Sequence, residues 1–157
     1  MTLRVERLPR EPAPADVDVV MALETASFTN PWSRENLLWE LANSDVTRAY
    51  VLREEASGIL AFCLCWVIFD ELHINTLAVA PESRRRGLAT VLLNESFRDA
   101  VEAGARKATL EVRESNTAAL ELYQGLGFRV AARRPGYYSK PDEDALILWR
   151  ENLAASP

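Results

Sequence analysis

Cysteine and histidine are scarce in this chain: two of the first and one of the second in 157 residues. Cys63 and Cys65 sit two apart on one apolar stretch. On a strand they project to the same face and cannot close a loop as a disulfide, so they read as reduced core residues. A single histidine, His73, cannot build a usual zinc site, and no metal is expected. Long apolar runs are also missing. The longest, Ile59 to Phe69, has eleven residues, against roughly 18 for a membrane span. Charges from Arg4 onward leave no apolar leader, so the expected location is cytoplasmic, with no membrane partner. There are no repeats and no low-complexity tract, and residues 1–157 are expected to form a single domain. Neither G-x-x-x-x-G-K-[ST] nor a G-x-G-x-x-G after a strand occurs; Gly125 and Gly127 fall at a helix end instead. Those absences exclude the usual nucleotide-hydrolase and dinucleotide loops. Acidic residues outnumber basic ones, 23 to 18, for a net charge of −5. That balance argues against nucleic acid and favours a cationic partner such as an amine or a basic peptide.

The pattern that is present alternates strands and helices. A short first strand leads through the Pro-rich 9–15 to a helix capped by Asp16, with Val19, Val20, Leu23 and Ala26 inside. Pro31 ends that segment. Ser33 caps a second helix with Leu37, Leu38 and Leu41 inside. "TRAYVLRE" alternates as a strand, and Ile59–Phe69 has the β-branched and aromatic content of a buried one. A two-residue turn at Asp70-Glu71 would put Ile68 opposite His73 and Cys65 opposite Thr76. His73 and the cysteines then lie on opposite faces, which argues against a Cys-His nucleophilic pair. "LHINTLAVA" is the next strand. Leu88, Val91, Leu92, Phe97, Ala100 and Val101 mark a helix to Ala103, with Gly104 at its C-terminal end. "KATLEVR" is a strand, Ser115 or Asn116 caps a helix to Leu126, and "FRVAARR" and "DALILWR" are the last strands. The passage from residue 72 to 113 must make a parallel pair by a crossover. The expected fold is α/β: one mixed sheet with helices on both faces.

"PESRRRGLAT", residues 81–90, raises a question of charge. Three arginines precede a helix whose N-terminal dipole disfavours them. As a charge run, the triplet reads as a solvated surface turn. As a strand–turn–helix with glycine at the joint, it reads as an anion site built from free N–H groups, which would relieve the conflict. The spacing Arg84-x-x-Gly87-x-Ala89 resembles the [QR]-x-x-G-x-[GA] loop of the GCN5-related N-acetyltransferase (GNAT) superfamily. Three further stretches strengthen the likeness: "NPWS" at 30–33, "LEVRESNTAALELYQGLGF" at 110–128, and "RRPGYY" at 133–138 followed by "EDALIL" at 143–148. Together they resemble the branch of bacterial acetyltransferases that modify the N-terminal alanine of a small-subunit ribosomal protein. The likeness runs from about residue 20 to 150.

The resemblance implies a mostly antiparallel sheet of about seven strands, four flanking helices, and acetyl-CoA as cosubstrate. It implies that Arg84, Arg85, Arg86, Gly87, Leu88, Ala89 and Thr90 hold the pyrophosphate. Leu77, Ala78 and Val79 would face the cofactor, with a backbone N–H on the thioester carbonyl, and Asn116 would contact it too. The matching glutamate, Glu111, acts as general base, directly or through water. The matching tyrosine, Tyr123, acts as general acid. Trp32, Tyr137 and Tyr138 would frame the acceptor's entry.

Each residue also has a plainer reading. Glu111 is mid-strand where both faces should be apolar, so it must be partnered or line an opening; partial burial would suit it as a base, and the plainer reading is a structural carboxylate paired with Arg113 or Lys107. Tyr123 shares a helix face with Ala119, Leu120 and Leu126 and could simply pack. Asn116 could only cap, and the aromatic residues could only fill a hairpin. Glu35, Asp142 and Glu143 could attract a cationic peptide end. The expected function is transfer of acetyl from acetyl-CoA to the N-terminal amine, with alanine first, of a ribosomal or other protein. The alternatives are a small amine or lysine acceptor, and a non-catalytic acyl-CoA sensor. A monomer is compatible with all of this.

Overall fold

The computed structural model describes residues 2–156. The apolar run beginning at Ile59 forms the middle of the sheet. It is β3 (Gly58–Ile68), flanked by β2 (Thr47–Glu54) and β4 (Glu71–Val79). Its side chains alternate between two cores: Phe62 and Leu64 point one way, Cys63 and Cys65 the other. That two-sided burial is why the run carries no polar residue. β1 (Leu3–Arg7) pairs outside β2. β5 (Lys107–Arg113), β6 (Arg129–Tyr138) and β7 (Glu143–Arg150) complete seven strands in the order β1-β2-β3-β4-β5-β7-β6. Among the described residues only β4 and β5 run parallel. They are joined by the crossover helix α3, Leu88–Glu102.

α1 (Pro14–Ser27) and α2 (Arg34–Asn43) cover one face. Val20, Leu23, Leu37 and Leu41 pack there on Val51, Phe62, Leu64 and Ala78. α3 and α4 (Thr117–Gly125) cover the other, where Leu92, Leu93, Phe97 and Tyr123 pack on Cys63, Leu72, Leu110 and Leu148. Each fully buried leucine contributes about 1.5–3 kcal/mol relative to exposure. None of the described helices is long and apolar enough to cross a membrane.

Several local expectations are corrected. α1 starts at Pro14, a residue suited to the first helical position, so Asp16 lies inside the first turn and its carboxylate binds Arg53 instead of capping. The buried stripe of α1 is Val17, Val20, Leu23 and Glu24, while Val19 and Ala26 face solvent. Leu38 and Val91 are likewise exposed, each one position off its helix's buried stripe. Phe69 is 94% exposed. It forms the β3–β4 turn with Asp70, so that Ile68 lies opposite Glu71 and Cys65 opposite Ile74. The register differs by two from that expected, and a shift of two keeps every side chain on its face. His73 therefore stays opposite the cysteines, pairing with Trp66 and contacting Glu71 at 3.0 Å. Gly104 lies one residue past the cap of α3, at φ 104°, the left-handed position that glycine fills without strain.

Two irregularities make room for a site. β4 and β5 are paired only from Glu71↔Lys107 to Ile74↔Leu110. Beyond that they part, leaving the edge of Asn75–Val79 without a strand partner on that side. At the same point, Leu64 lies opposite Thr76 and Cys65 opposite Ile74, so Asn75 is an extra residue bulged out of β4.

Candidate active site

The opening between β4 and β5 is a cavity of about 430 Å³. Its walls come from the α1–α2 connection, the bulged part of β4, the end of β5, the start of α4 and the end of β6. The structure gathers Trp32, Leu77, Glu111, Asn116, Tyr123 and Tyr138 on these walls.

Glu111 sits mid-strand on β5, opposite Ile147 of β7. Of the two expected settings it takes the second: it lines an opening, and it is exposed there and not partly buried. The two cations that could have neutralised it are engaged elsewhere. Arg113 contacts Glu143 at 3.3 Å, and Lys107 lies 3.8 Å from Glu71. Among the described residues none forms an ion pair with Glu111. A carboxylate in an opening with no cation on it is placed to accept a proton from a cationic ligand.

Tyr123 does two things at once. Its ring packs edge-on against Phe128, centroids 5.5 Å apart, in the core beneath α4. It also lines the cavity, and no described group hydrogen-bonds its hydroxyl. Burial, with a smaller contribution from Cys63 and Cys65, pushes the phenol well above its ordinary value. The group therefore stays protonated, an O–H donor without a partner in the chain. Asn116 likewise has two roles: its side-chain oxygen accepts from the Ala119 N–H at 3.1 Å, capping α4, and it lines the cavity.

Tyr138 closes the far wall. Arg113 lies over its ring at 4.5 Å. Burial first, then Tyr137 and the Glu111 carboxylate, push its phenol up to about 12. Tyr137 is not on the cavity: it stands edge-on to Tyr138 at 5.0 Å with Arg134 over its outer face at 5.0 Å. Glu143 is not a free acid for a peptide end. It accepts from the Ser115 N–H at 2.6 Å and pairs with Arg113, and those contacts, Ser115 first, hold it below the usual carboxylate range. Arg113 also donates to the carbonyls of Ser139 and Pro141, pinning the β6–β7 turn beside the cavity. Glu35 and Asp142 are exposed and lie off the cavity walls.

The loop after β4 lies outside the cavity walls. Pro81–Ser83 is one turn of 3-10 helix, and Gly87 caps α3 at φ 75° with open space where a side chain would start. Among the described residues, no acceptor in the chain is bonded to the main-chain N–H of any residue from Arg84 to Thr90. These are the donors an anion would need. The arginines divide. Arg84 reaches the Val79 carbonyl at 3.4 Å, and Arg85 adopts φ 64° on the exposed turn. Arg86 instead binds the buried carboxylate of Glu54 at 2.8 Å. That pair balances part of the positive charge that looked misplaced at the helix start. Leu88 is buried in the core, so it offers only its N–H, while Ala89 and Thr90 are half-buried. Ala78 is 2% exposed and points into the opposite core, so a ligand along β4 meets only its main chain. Leu77 and Val79 pack on the α3–α4 side.

Two features escaped the sequence. Ser27 Oγ is, among the described residues, the one buried side-chain oxygen without a hydrogen-bond partner, and Ser27 is on the cavity wall. Glu24 is buried behind that wall. A carboxylate in the stripe Val17-Val20-Glu24 is a polar residue at a core position, which is the signal that would have marked it.

Comparison with known proteins agrees with this geometry. The Acetyltransferase (GNAT) family model matches residues 17–128. The [Ribosomal protein bS18]-alanine N-acetyltransferase of Haemophilus ducreyi is 33% identical over 136 residues, covering 85% of this chain and 92% of that protein. The protein of the same name from Escherichia coli K12 is 32% identical over 136 residues, covering 85% and 89%. The crystal structure of the ribosomal-protein-S18-alanine N-acetyltransferase from Escherichia coli superposes with a TM-score of 0.83 at 27% identity, covering 96% of this chain and 94% of that one. A split sheet, a donor-rich turn before α3, a family model over most of the chain and relatives along nearly its whole length lead to one statement: the chain belongs to the GNAT acetyltransferase family.

Proposed function

We propose that this protein transfers the acetyl group of acetyl-CoA to the N-terminal alanine amine of ribosomal protein bS18. Acetyl-CoA supplies the activated acetyl thioester. The fit of the chain to it rests on three features: the unpartnered N–H groups of Arg84–Thr90, the open space at Gly87, and the unpaired β4 edge at Asn75–Val79. The first two suit a pyrophosphate approaching main chain closely. The third suits the amides of a pantetheine arm lying like an added strand. In this arrangement Arg84 and Arg85 carry charge towards the phosphates, while Arg86 shapes the loop through Glu54.

The acceptor enters past Trp32 and Tyr138. Glu111 takes a proton from the ammonium, directly or through a water, and frees the nitrogen lone pair. The nitrogen bonds to the acetyl carbon, the carbon–sulfur bond breaks, and Tyr123 gives its proton to the departing thiolate. A main-chain N–H of the unpaired β4 edge would stabilise negative charge on the carbonyl oxygen.

The observation that carries this proposal is the meeting of an unpaired carboxylate and an unpartnered phenol in one cavity, at the point where β4 and β5 part. The relatives at 32–33% identity favour a protein N-terminus over a small amine or a lysine side chain. A non-catalytic sensor would have no use for both groups. In the cell the reaction belongs where ribosomal proteins are made, in the cytoplasm. Incubation with acetyl-CoA and a peptide carrying the bS18 N-terminus, read by mass spectrometry beside N-blocked lysine peptides and small amines, tests the proposal. Acetylation of the Ala-initiated peptide in preference to the others is expected. Preference for either of the others, or no product at all, overturns it.

A further inference from the structure

Glu24 is a carboxylate only 1% exposed, and it takes no part in the proton transfers described above. Among the described residues, no lysine or arginine pairs with it. A buried carboxylate without a cation is costly unless hydrogen bonds replace its water. A leucine would suit the apolar stripe of α1 better on packing grounds alone.

The hydrogen bonds explain the carboxylate. One oxygen accepts from the Trp32 N–H at 3.0 Å, and the other from the Thr76 hydroxyl. The main-chain carbonyl of Glu24 accepts from the Phe28 N–H at 3.1 Å. One residue therefore holds both ends of the 28–32 segment. That segment supplies Phe28, Thr29, Asn30 and Trp32 to the cavity wall, and Pro31 within it has no N–H to give. Thr76 belongs to the other wall. It lies directly after the bulged Asn75 and before Leu77, on the stretch of β4 that has left β5.

We propose that Glu24 is a positioning residue that clamps the acceptor-side wall, residues 28–32, to the donor-side wall, β4, and so sets the distance between the incoming amine and the thioester. This rests on the acceptor reading of the cavity given above. Glu24 touches neither reactant; it acts through Trp32 and Thr76. The clamp bears on the acceptor and on the approach of the two reactants. The pyrophosphate end of acetyl-CoA, at the Arg84–Thr90 turn, is independent of it, and the pantetheine arm lies along the β4 main chain, so the affinity for acetyl-CoA changes little.

Three variants test the clamp. Glu24→Ala removes both side-chain bonds. Glu24→Gln keeps them, because its oxygen can accept from Trp32 while its amide donates to the hydroxyl oxygen of Thr76. Thr76→Val removes one bond with little change of volume, and stands in for Glu24→Ala should the latter fail to fold. Three quantities are read on the full chain: kcat/KM for the Ala-initiated peptide, the Kd of acetyl-CoA by calorimetry, and hydrogen exchange of the Trp32 amide. The expected loss in kcat/KM for Glu24→Ala is about 10²-fold, the scale of a misplacement near 1 Å. Its acetyl-CoA Kd stays within about twofold, and Trp32 loses its protection. Glu24→Gln restores both the rate and the protection. Unchanged Trp32 exchange in Glu24→Ala overturns the clamp, whatever the wild type turns over. So does an equal weakening of acetyl-CoA binding, which would indicate general collapse. A wild type that acetylates no peptide refutes the acceptor reading, while the exchange measurement still decides whether Glu24 holds the two walls.

Discussion

Replacing Tyr123 by phenylalanine separates the two roles of that residue, because it deletes one oxygen and leaves the ring. The ring's contact with Phe128 and its place in the core are untouched. No described group is bonded to the hydroxyl, so its removal orphans no partner. The hydroxyl opens onto the cavity and is not sealed in the core, so Tyr123→Phe is expected to melt close to the wild type. The effect falls on catalysis. Loss of a general acid slows a reaction by about 10²- to 10⁴-fold, and 10² corresponds to about 2.7 kcal/mol of barrier. The expectation is a kcat at least about 10²-fold lower with the KM for acetyl-CoA unchanged. The assay is steady-state release of coenzyme A from acetyl-CoA and the Ala-initiated peptide, beside thermal melting of both proteins. The phenol is pushed above its ordinary value of 10.0, so the wild-type kcat should show no fall from Tyr123 ionisation anywhere below pH 10. A kcat within about threefold of the wild type removes Tyr123 from the chemistry. A melting point several degrees lower means that the hydroxyl is structural after all.

Gly87→Val puts a β-branched residue at φ 75° with open space around it. Strain of about 1–2 kcal/mol should lower the melting point, and the side chain should weaken acetyl-CoA binding by roughly tenfold, about 1.4 kcal/mol by calorimetry. The Arg86 guanidinium, then the Ser57 hydroxyl, hold Glu54 below its ordinary 4.5. The stabilisation from this lowered value is present above pH 4.5 and is lost as pH falls through the folded value. The melting-point advantage of the wild type over Glu54→Gln should thus be full near neutrality and close in acid; a gap that is constant with pH contradicts the ion pair. Leu92→Ala, at a fully buried site under the sheet, should cost about 2–5 kcal/mol in urea unfolding while leaving kcat at low temperature within about twofold.

The elements were legible because their periods are strong. An alternating run puts its apolar residues on one face only as a strand, the eleven-residue apolar run was assigned by its β-branched and aromatic content, and Leu88, Leu92 and Phe97 can share a core only on a helix. Glu111, Tyr123 and Asn116 were reached through one contiguous block spanning β5 and α4, so their convergence needed only local structure. The shortfalls are of another kind. Val19, Leu38 and Val91 are apolar residues that face solvent, and hydrophobicity alone does not separate them from neighbours one position away. The β3–β4 turn was misplaced because Phe69 is a β-former, yet it sits in the left-handed region at the hairpin tip. Pairs formed across long stretches of chain leave no local trace. Glu24 meets Thr76, and Glu54 meets Arg86, only after the sheet has assembled. For that reason the Glu54 partner of Arg86 was not foreseen, and Glu24 went unnoticed.

The parallel ladder between β4 and β5 spans only four residue pairs. It is the seam along which the sheet is least stitched, and it lies beside the bay proposed for both substrates. A molecule lodged there spans the seam and acts as a suture, so occupancy should slow amide exchange at Ile74 and Leu110 more than at the long β2–β3 ladder. The same short stitching that opens a place for chemistry makes the ligand a structural member of the sheet for as long as it stays.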